Sequence, residues 1–384
     1  MADDAHCPHC GHETPRTAFC VRCGFALDAS ESGKAGRARA GDYAAAPGEP
    51  VTSVRIGSTL FPQLPQEAGE TFRWLLLISA AATVAPAALG FFPVALIVAA
   101  LAIPLLLAIY LYAVDVYEDE PVRVYVATAA WGIVAGVVTA LIGHAIAAPN
   151  PVAGGALTAN IVGRGIVVPL LGGLLAAVGP LYLLRYEKFN DVLDGTTFGA
   201  VAGAWFVGAQ AIATAVDLIG TGIRPPGNVL EWIARLLALG VVSPILWAAT
   251  LGSLMGAIWL RYRAPVNDRA ALGWSGSPTA VAVAAGLVLV LAAIGQILLG
   301  VFGGLVWLAL LSTLPLVLLR RSIHRGLLQE ATEGPIGDSI RCANCGRATP
   351  RHTCCGHCGV ALRATPKTAR RRAGVDASTT AGET

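Results

Sequence analysis

Eight cysteines carry the most specific chemistry in this chain: Cys7, Cys10, Cys20 and Cys23 near its start, and Cys342, Cys345, Cys355 and Cys358 near its end. They stand in the stretches "CPHCGHETPRTAFCVRCG" and "CANCGRATPRHTCCGHCG", each a pair of C-x-x-C knuckles with glycine after the second cysteine of every knuckle. Four thiolates on two tight turns form the tetrahedral sulfur set that zinc prefers, so each cluster is predicted to be a zinc ribbon holding one structural ion. So short a segment builds no core of its own, and the metal would supply its folding energy. An all-cysteine site leaves no coordination position open for water, which points to protein interaction and not to hydrolysis. Disulfides are the other use of paired cysteines, and placement in the cytoplasm argues against them. The ninth cysteine, Cys354, stands where the first cluster has Phe19, as a thiol outside the set or an alternative ligand. His9, His12, His352 and His357 flank the knuckles and could substitute as ligands, but four cysteines per site make that unnecessary.

The two clusters are one motif used twice. An offset of 335 positions lays Cys7, Cys10, Cys20 and Cys23 onto Cys342, Cys345, Cys355 and Cys358. Gly11, Thr14, Pro15, Arg16 and Gly24 fall on Gly346, Thr349, Pro350, Arg351 and Gly359 under the same shift, and Ala26-Leu27 on Ala361-Leu362. Composition alone does not produce such a match; it is an internal repeat.

Between these ends lies a chain that water would not hold. Of the 384 residues 55% are hydrophobic and 13% charged, and apolar runs of eighteen or more recur, which predicts a polytopic membrane protein. Eight spans are expected, at 74–91, 94–114, 123–146, 165–184, 196–219, 238–260, 279–298 and 301–319. Only "GVFGG" separates the last two, so any error in the count falls there. The fold class is therefore an all-α membrane helix bundle of about eight transmembrane helices with a small zinc-ribbon module at each end. A net charge of +3 is too small to argue for nucleic acid.

Charge near the spans predicts their orientation. Arg73, Arg123, Arg185 with Lys188, then Arg261, Arg263 and Arg269, and finally Arg320, Arg321 and Arg325 occupy alternate loops, whereas the opposite loops carry only Arg164 and Arg224. Both termini are then expected in the cytoplasm, with the protein multi-pass in the plasma (inner) membrane. The polar, cysteine-rich first seventy residues fit a region that is not exported. The expected organisation is a ribbon at 1–27, a linker at 28–70, a transmembrane domain at 71–325, a linker at 326–340, a ribbon at 341–362 and a tail at 363–384. Residues 28–70 are rich in Ala, Gly, Pro and Ser and read as a flexible tether. The tail carries a short basic patch at Arg370, Arg371 and Arg372, a weak signal for anionic lipid. Gly132/Gly136, Gly199/Gly203 and Gly252/Gly256 have the spacing that lets helix backbones approach closely.

One further cluster could do chemistry: Asp115, Glu118, Asp119 and Glu120, at the end of the second expected span. By itself it reads as a solvated cytoplasmic turn. With Tyr117 and Pro121, and with Trp131-Gly132 following, it also resembles a motif of the PrsW-like intramembrane metalloproteases. The resemblance extends through "LLRYEKFNDVLDGTTFGAVAG", with Asp194-Gly195, Phe198 and Gly199-Ala200, and covers roughly residues 74–320. It implies a metal site inside the bilayer, built from an adjacent Glu pair with a Lys one turn on, a Glu in an F-x-x-x-E pattern and a later His. Here Gly172 and Gly173 stand about where the Glu pair belongs, Ala176 where the Lys belongs, Gln210 for the second Glu and Ser243 for the His. Glycine side chains bind no metal, and Gln is no carboxylate base.

The other polar groups of the spans offer no replacement set. His144 and Asp217 read as interfacial, His324 lies among the arginines after the last span, and Gln296 is isolated. Arg235 begins the sixth span or lies in an amphipathic turn before it. The leading expectation is a catalytically silent relative with no catalytic residue: a membrane scaffold, sensor or peptide-binding module. Its partners would be the bilayer, a transmembrane client peptide and a cytoplasmic protein held by the ribbons. The second is an active protease with atypical ligands, for which Glu118, Glu120 and Asp194 are the carboxylates at hand. The third is a small transporter or channel, against which stands the scarcity of ionisable residues in the spans.

Overall fold

The computed structural model describes residues 4–8, 10–27, 49–54, 59, 74, 77–79, 81–87, 89–113, 122–146, 154–216, 219, 228–263, 274–332 and 335–362. Two short hairpins bracket the helices. β1 (Asp4–His6) pairs antiparallel with β2 (Glu13–Pro15), and β3 (Gly337–Arg341) with β4 (Ala348–Arg351). Among the described residues seven helices are long and apolar enough to cross a membrane: Phe92–Tyr112, Val122–Ile146, Leu157–Leu183, Val192–Thr214, Val229–Tyr262, Pro278–Leu298 and Gly300–Leu327. A shorter apolar helix, Leu77–Ala87, lies within the first expected span, part of which falls outside the described residues. The chain is thus a multi-pass membrane-type bundle of about eight helices with a four-cysteine module at either end.

The helices are α1 (Phe92–Ala113), α2 (Val122–Ile146), α3 (Gly154–Asn160), α4 (Val168–Leu183), α5 (Val192–Thr214), α6 (Val229–Leu237), α7 (Ser243–Tyr262), α8 (Pro278–Leu298) and α9 (Gly300–Thr332). The break within the last pair lies at Leu299–Gly300, where Gly300 takes a left-handed φ of 67° that a side chain would strain. α9 runs on well past the expected end at 319, and the span expected at 238–260 begins at Val229. There Asn228 caps α6 through a 2.8 Å bond from the Glu231 N–H, and Arg235 lies over Trp232, in the amphipathic helix that precedes the sixth span.

Two turns of wide, π-type helix interrupt the bundle, Ile161–Val167 between α3 and α4 and Ala238–Val242 between α6 and α7. Each is followed at its second residue by a proline, Pro169 and Pro244. Proline has no N–H to donate, and its ring clashes with the carbonyl four residues back, so the preceding turn opens. The residues at those carbonyls are Gly165 and Gly240, both buried. The same G-x-x-x-P pattern therefore widens two helices.

The chain divides into two compact units, one comprising Met1–Phe72, Ile109–Asp119 and Arg320–Thr384, the other Arg73–Ala108 and Glu120–Leu319. In the second unit α5 is central, packed between α2 and α7. Small residues bring the backbones together, as their spacing predicts. A Cβ on Gly132 would lie 2.6 Å from the Ala202 carbonyl oxygen, and one on Gly136 would meet the Phe206 carbonyl. On the other flank Gly199 meets the Leu251 carbonyl. The start of α5 is fixed by a capping box: the Leu193 N–H donates to Asp191 Oδ1 at 3.3 Å, and the Asp191 N–H to Asp194 Oδ2 at 3.2 Å. Asp194 is buried in that role. Residues 184–191 lead into it through edge-to-face rings, Tyr182 on Tyr186, Tyr186 on Phe189 and Phe189 on Phe198. Arg185 and Lys188 each cap a ring face at 4.2 Å, and Trp259 Nε1–H donates to the Phe189 carbonyl at 3.1 Å. An aromatic-basic loop here is a packed corner of the bundle.

Candidate functional site: paired sulfur centres and a polar-lined cavity

Each ribbon is built by the same bonds. The N–H of Gly11, Gly24, Gly346 and Gly359 donates to the carbonyl of the first cysteine of its knuckle at 2.8–2.9 Å, and all four glycines have φ of 70–74°. That left-handed turn gathers the sulfurs on one side. The Sγ atoms of Cys7, Cys10, Cys20 and Cys23 lie within 4.8 Å of one another, and so do those of Cys342, Cys345, Cys355 and Cys358. The closest pairs are Cys7–Cys23 at 3.6 Å and Cys10–Cys20 at 3.9 Å, then Cys342–Cys358 and Cys345–Cys355 at 3.8 Å. Metal–sulfur bonds of about 2.3 Å in a tetrahedron require sulfur separations of about 3.8 Å, so the set fits such an ion. Two groups that can hold a metal ion are therefore present, and both contain the expected cysteines.

The thiols already share charge. Hydrogen bonds from Cys10 and Cys23 hold the Cys20 thiol far below its ordinary value, and Cys342 and Cys358 do the same for Cys355. Conversely, Cys10 and Cys342 are each pushed up to about 11, chiefly by hydrogen bonding to Cys20 and Cys355 respectively. The same member of each repeat is the thiolate-like one.

The repeat also predicts nothing of what the ribbons do to each other, and here the structure adds a finding. They pair. The Phe19 N–H donates to the Gly356 carbonyl at 2.9 Å, and the Cys354 N–H to the Val21 carbonyl at 2.8 Å. Under the 335-residue offset Phe19 corresponds to Cys354 and Val21 to Gly356, so each bond is the other's image about a local two-fold. Thr14 and Thr349, both fully buried, accept from the N–H of Val21 and Gly356 at 3.4 and 2.9 Å and brace the contact from each side. Arg22 Nη1 reaches His352 Nε2 at 3.3 Å. Cys354 belongs to neither sulfur set; it is buried at this contact, its Sγ 3.2 Å from where a Cβ on Gly24 would stand. The position, taken alone in sequence, gave two readings; in space it is interface packing. His9 lies outside the described residues, and His12, His352 and His357 are likewise absent from both ligand groups.

The residues aligned with the expected intramembrane site have separate fates. Gly172 faces the Phe206 ring and Thr139: an added Cβ would lie 2.8 Å from Phe206 Cζ and 3.0 Å from Thr139 Cγ2. Gly173 meets Leu289 Cδ1 at 3.2 Å, and Ala176 is fully buried. Gln210 and Ser243, in contrast, open onto one cavity of about 340 Å³. Its wall also carries Arg164, Thr214 and Gln296, set among apolar side chains such as Trp247 and Leu289. Arg164 is thus not a loop residue. α3 starts earlier than the span expected from 165, so the arginine sits inside a π turn, and the nominally isolated Gln296 faces the same space. Among the described residues no carboxylate, thiol or imidazole lines this cavity. The acidic stretch 114–121 and Asp217 lie outside the described residues, as do the basic patch and most of the tether. Asp194 is engaged in its cap, and His144 is exposed at the end of α2.

What could have pointed to the cavity is the doubled G-x-x-x-P, since both π turns contribute to its wall: Arg164 from the first, Leu239 from the second. π turns within helices are frequent at functional sites. Comparison with known proteins adds no relative: no family model, no curated protein and no solved structure matches the chain.

Proposed function

We propose that this is a catalytically silent multi-pass membrane protein, distantly PrsW-like, that acts as a scaffold or sensor. Its ribbon pair holds two zinc ions and serves as a docking module for a cytoplasmic protein. The observation that carries the silent reading is Gly172, whose place is filled by the Phe206 ring and Thr139, leaving no room for a metal-binding carboxylate. Gln210 and Ser243, which do face the cavity, are neutral groups, and among the described residues no metal-binding side chain joins them there. Zinc is favoured in the ribbons because four closed thiolates, their closest sulfur pairs 3.6–3.9 Å apart, suit its size and its lack of geometric preference.

The contact between the ribbons supports placement of both chain ends on one face of the membrane, which requires an even number of crossings. Seven long helices are described; an even count calls for an eighth crossing where Leu77–Ala87 lies within the first expected span, and the arginine distribution favours the cytoplasm of the plasma membrane. The test is metal analysis of the full-length protein beside a variant with all eight ligand cysteines changed to Ser. The expected result is about two zinc ions per chain in the first and none in the second. A metal retained by the eight-Ser variant would reverse the silent reading.

A further inference from the structure

We propose that the cavity between the two π turns binds a single-chain amphiphile through its anionic head, with Arg164 as the group that recognises the anion. The inference concerns the occupant of the cavity and rests on the silent reading only in that no metal competes for the space.

Three independent features converge. First, the polar wall is one-sided in charge. Arg164 contributes a guanidinium, Gln210 and Gln296 primary amides, Thr214 and Ser243 hydroxyls, and no acid stands among the described lining residues. Among the described residues no carboxylate pairs with Arg164, and no protein acceptor receives a bond from Gln210, Ser243 or Gln296. Ionisable and polar groups within a bilayer mark binding sites when their partners are not protein groups. A guanidinium flanked by amide and hydroxyl donors matches the oxygens of a carboxylate or a phosphate.

Second, the rest of the described wall is largely apolar, with Val168, Leu246, Leu289, Leu308 and the Trp247 ring offering hydrocarbon contact to a ligand tail. The ligand must then be part anion and part hydrocarbon. Third, size chooses among such ligands. A volume of about 340 Å³ lies in the small-molecule range. A transmembrane peptide helix, about 10–12 Å across with its side chains, does not fit. A single alkyl chain does. Arg164 and Gln296 are themselves exposed at the surface of the bundle, so the cavity opens outward without a separate entrance.

The shared head chemistry is an oxyanion, and its source distinguishes a fatty-acid type ligand from a phospholipid type. The full-length protein in zwitterionic nanodiscs is titrated with dodecanoate, dodecyl phosphate, dodecanol and inorganic phosphate, with bound mass and heat of binding as readouts. The expected result is saturable binding of one dodecanoate or dodecyl phosphate per chain, whichever is tighter naming the source, with dodecanol weaker by about tenfold or more. Arg164→Gln weakens the anionic ligands by at least about tenfold, and Arg235→Gln, a cation elsewhere in the bundle, leaves them unchanged. Ala293→Phe, which fills the lumen and keeps Arg164, abolishes binding and carries the test alone if Arg164→Gln does not give monodisperse protein. Equal binding of dodecanol and the anions, or binding that survives both cavity variants, overturns the proposal. So does inorganic phosphate binding as tightly as the amphiphiles, which would make this a soluble-anion site. None of these outcomes alters the zinc content of the ribbons, so failure here is distinct from failure of the proposed function.

Discussion

A methyl group added at Gly172 would press on the Phe206 ring, which itself stacks on Trp247 with centroids 4.4 Å apart. The ring is fully buried. Gly172→Ala is therefore expected to destabilise the bundle by about 1–3 kcal/mol through overpacking, read as a lowered thermal midpoint in detergent. Gln210→Ala removes only a neutral amide from a cavity wall and should change stability by no more than about 1 kcal/mol. Its second readout is proteolysis. A client peptide cut by the native protein and spared by Gln210→Ala at equal expression would show that the amide does chemistry, against the silent reading. Neither environment was visible at this scale from the sequence: Gly172 and Gly173 are adjacent letters, yet one meets an aromatic ring and the other a leucine.

At the scale of elements, the ribbons are where pH acts. Cys10 and Cys342, pushed up to about 11, are protonated at neutral pH without metal, and binding an ion must displace those protons. The loaded ribbon then holds fewer protons than the empty one, so metal affinity rises with pH and falls as pH drops. With at least one proton released per ion, apparent affinity should weaken by about tenfold or more per unit of acidification, measurable by competition with a chelator. Cys355→Ser is expected to lower metal content from two ions to one. Because its neighbours Cys354 and Gly356 make both cross-ribbon bonds, the same change should hasten metal loss from the intact first ribbon. The elements themselves were largely legible. Apolar runs gave the helices, glycine spacing gave the close contacts of Gly132 and Gly199, and C-x-x-C-G gave the knuckles. Helix ends were less so, because 229–237 is amphipathic and escapes a hydropathy window, while Arg164 interrupts one. The cavity was hidden because Arg164, Gln210, Ser243 and Gln296 come from four separate stretches, and only packing brings them together.

For the whole molecule, the testable matter is sidedness: reporters fused to the two termini should report the same side of the membrane, and opposite sides would mean an odd number of crossings. The pairing of the ribbons also has a consequence in time. The second ribbon is synthesised long after the first, whose partner surface, the edge running from Phe19 to Val21, waits while 335 further positions are added. At ordinary elongation rates of 5–20 residues per second that wait lasts roughly twenty to seventy seconds. Until it ends, Phe19 and the Val21 carbonyl are uncovered in every nascent chain. A chain truncated before Cys342 keeps them uncovered permanently, so the paired ribbons act as a seal that only a copy carrying both of them can close.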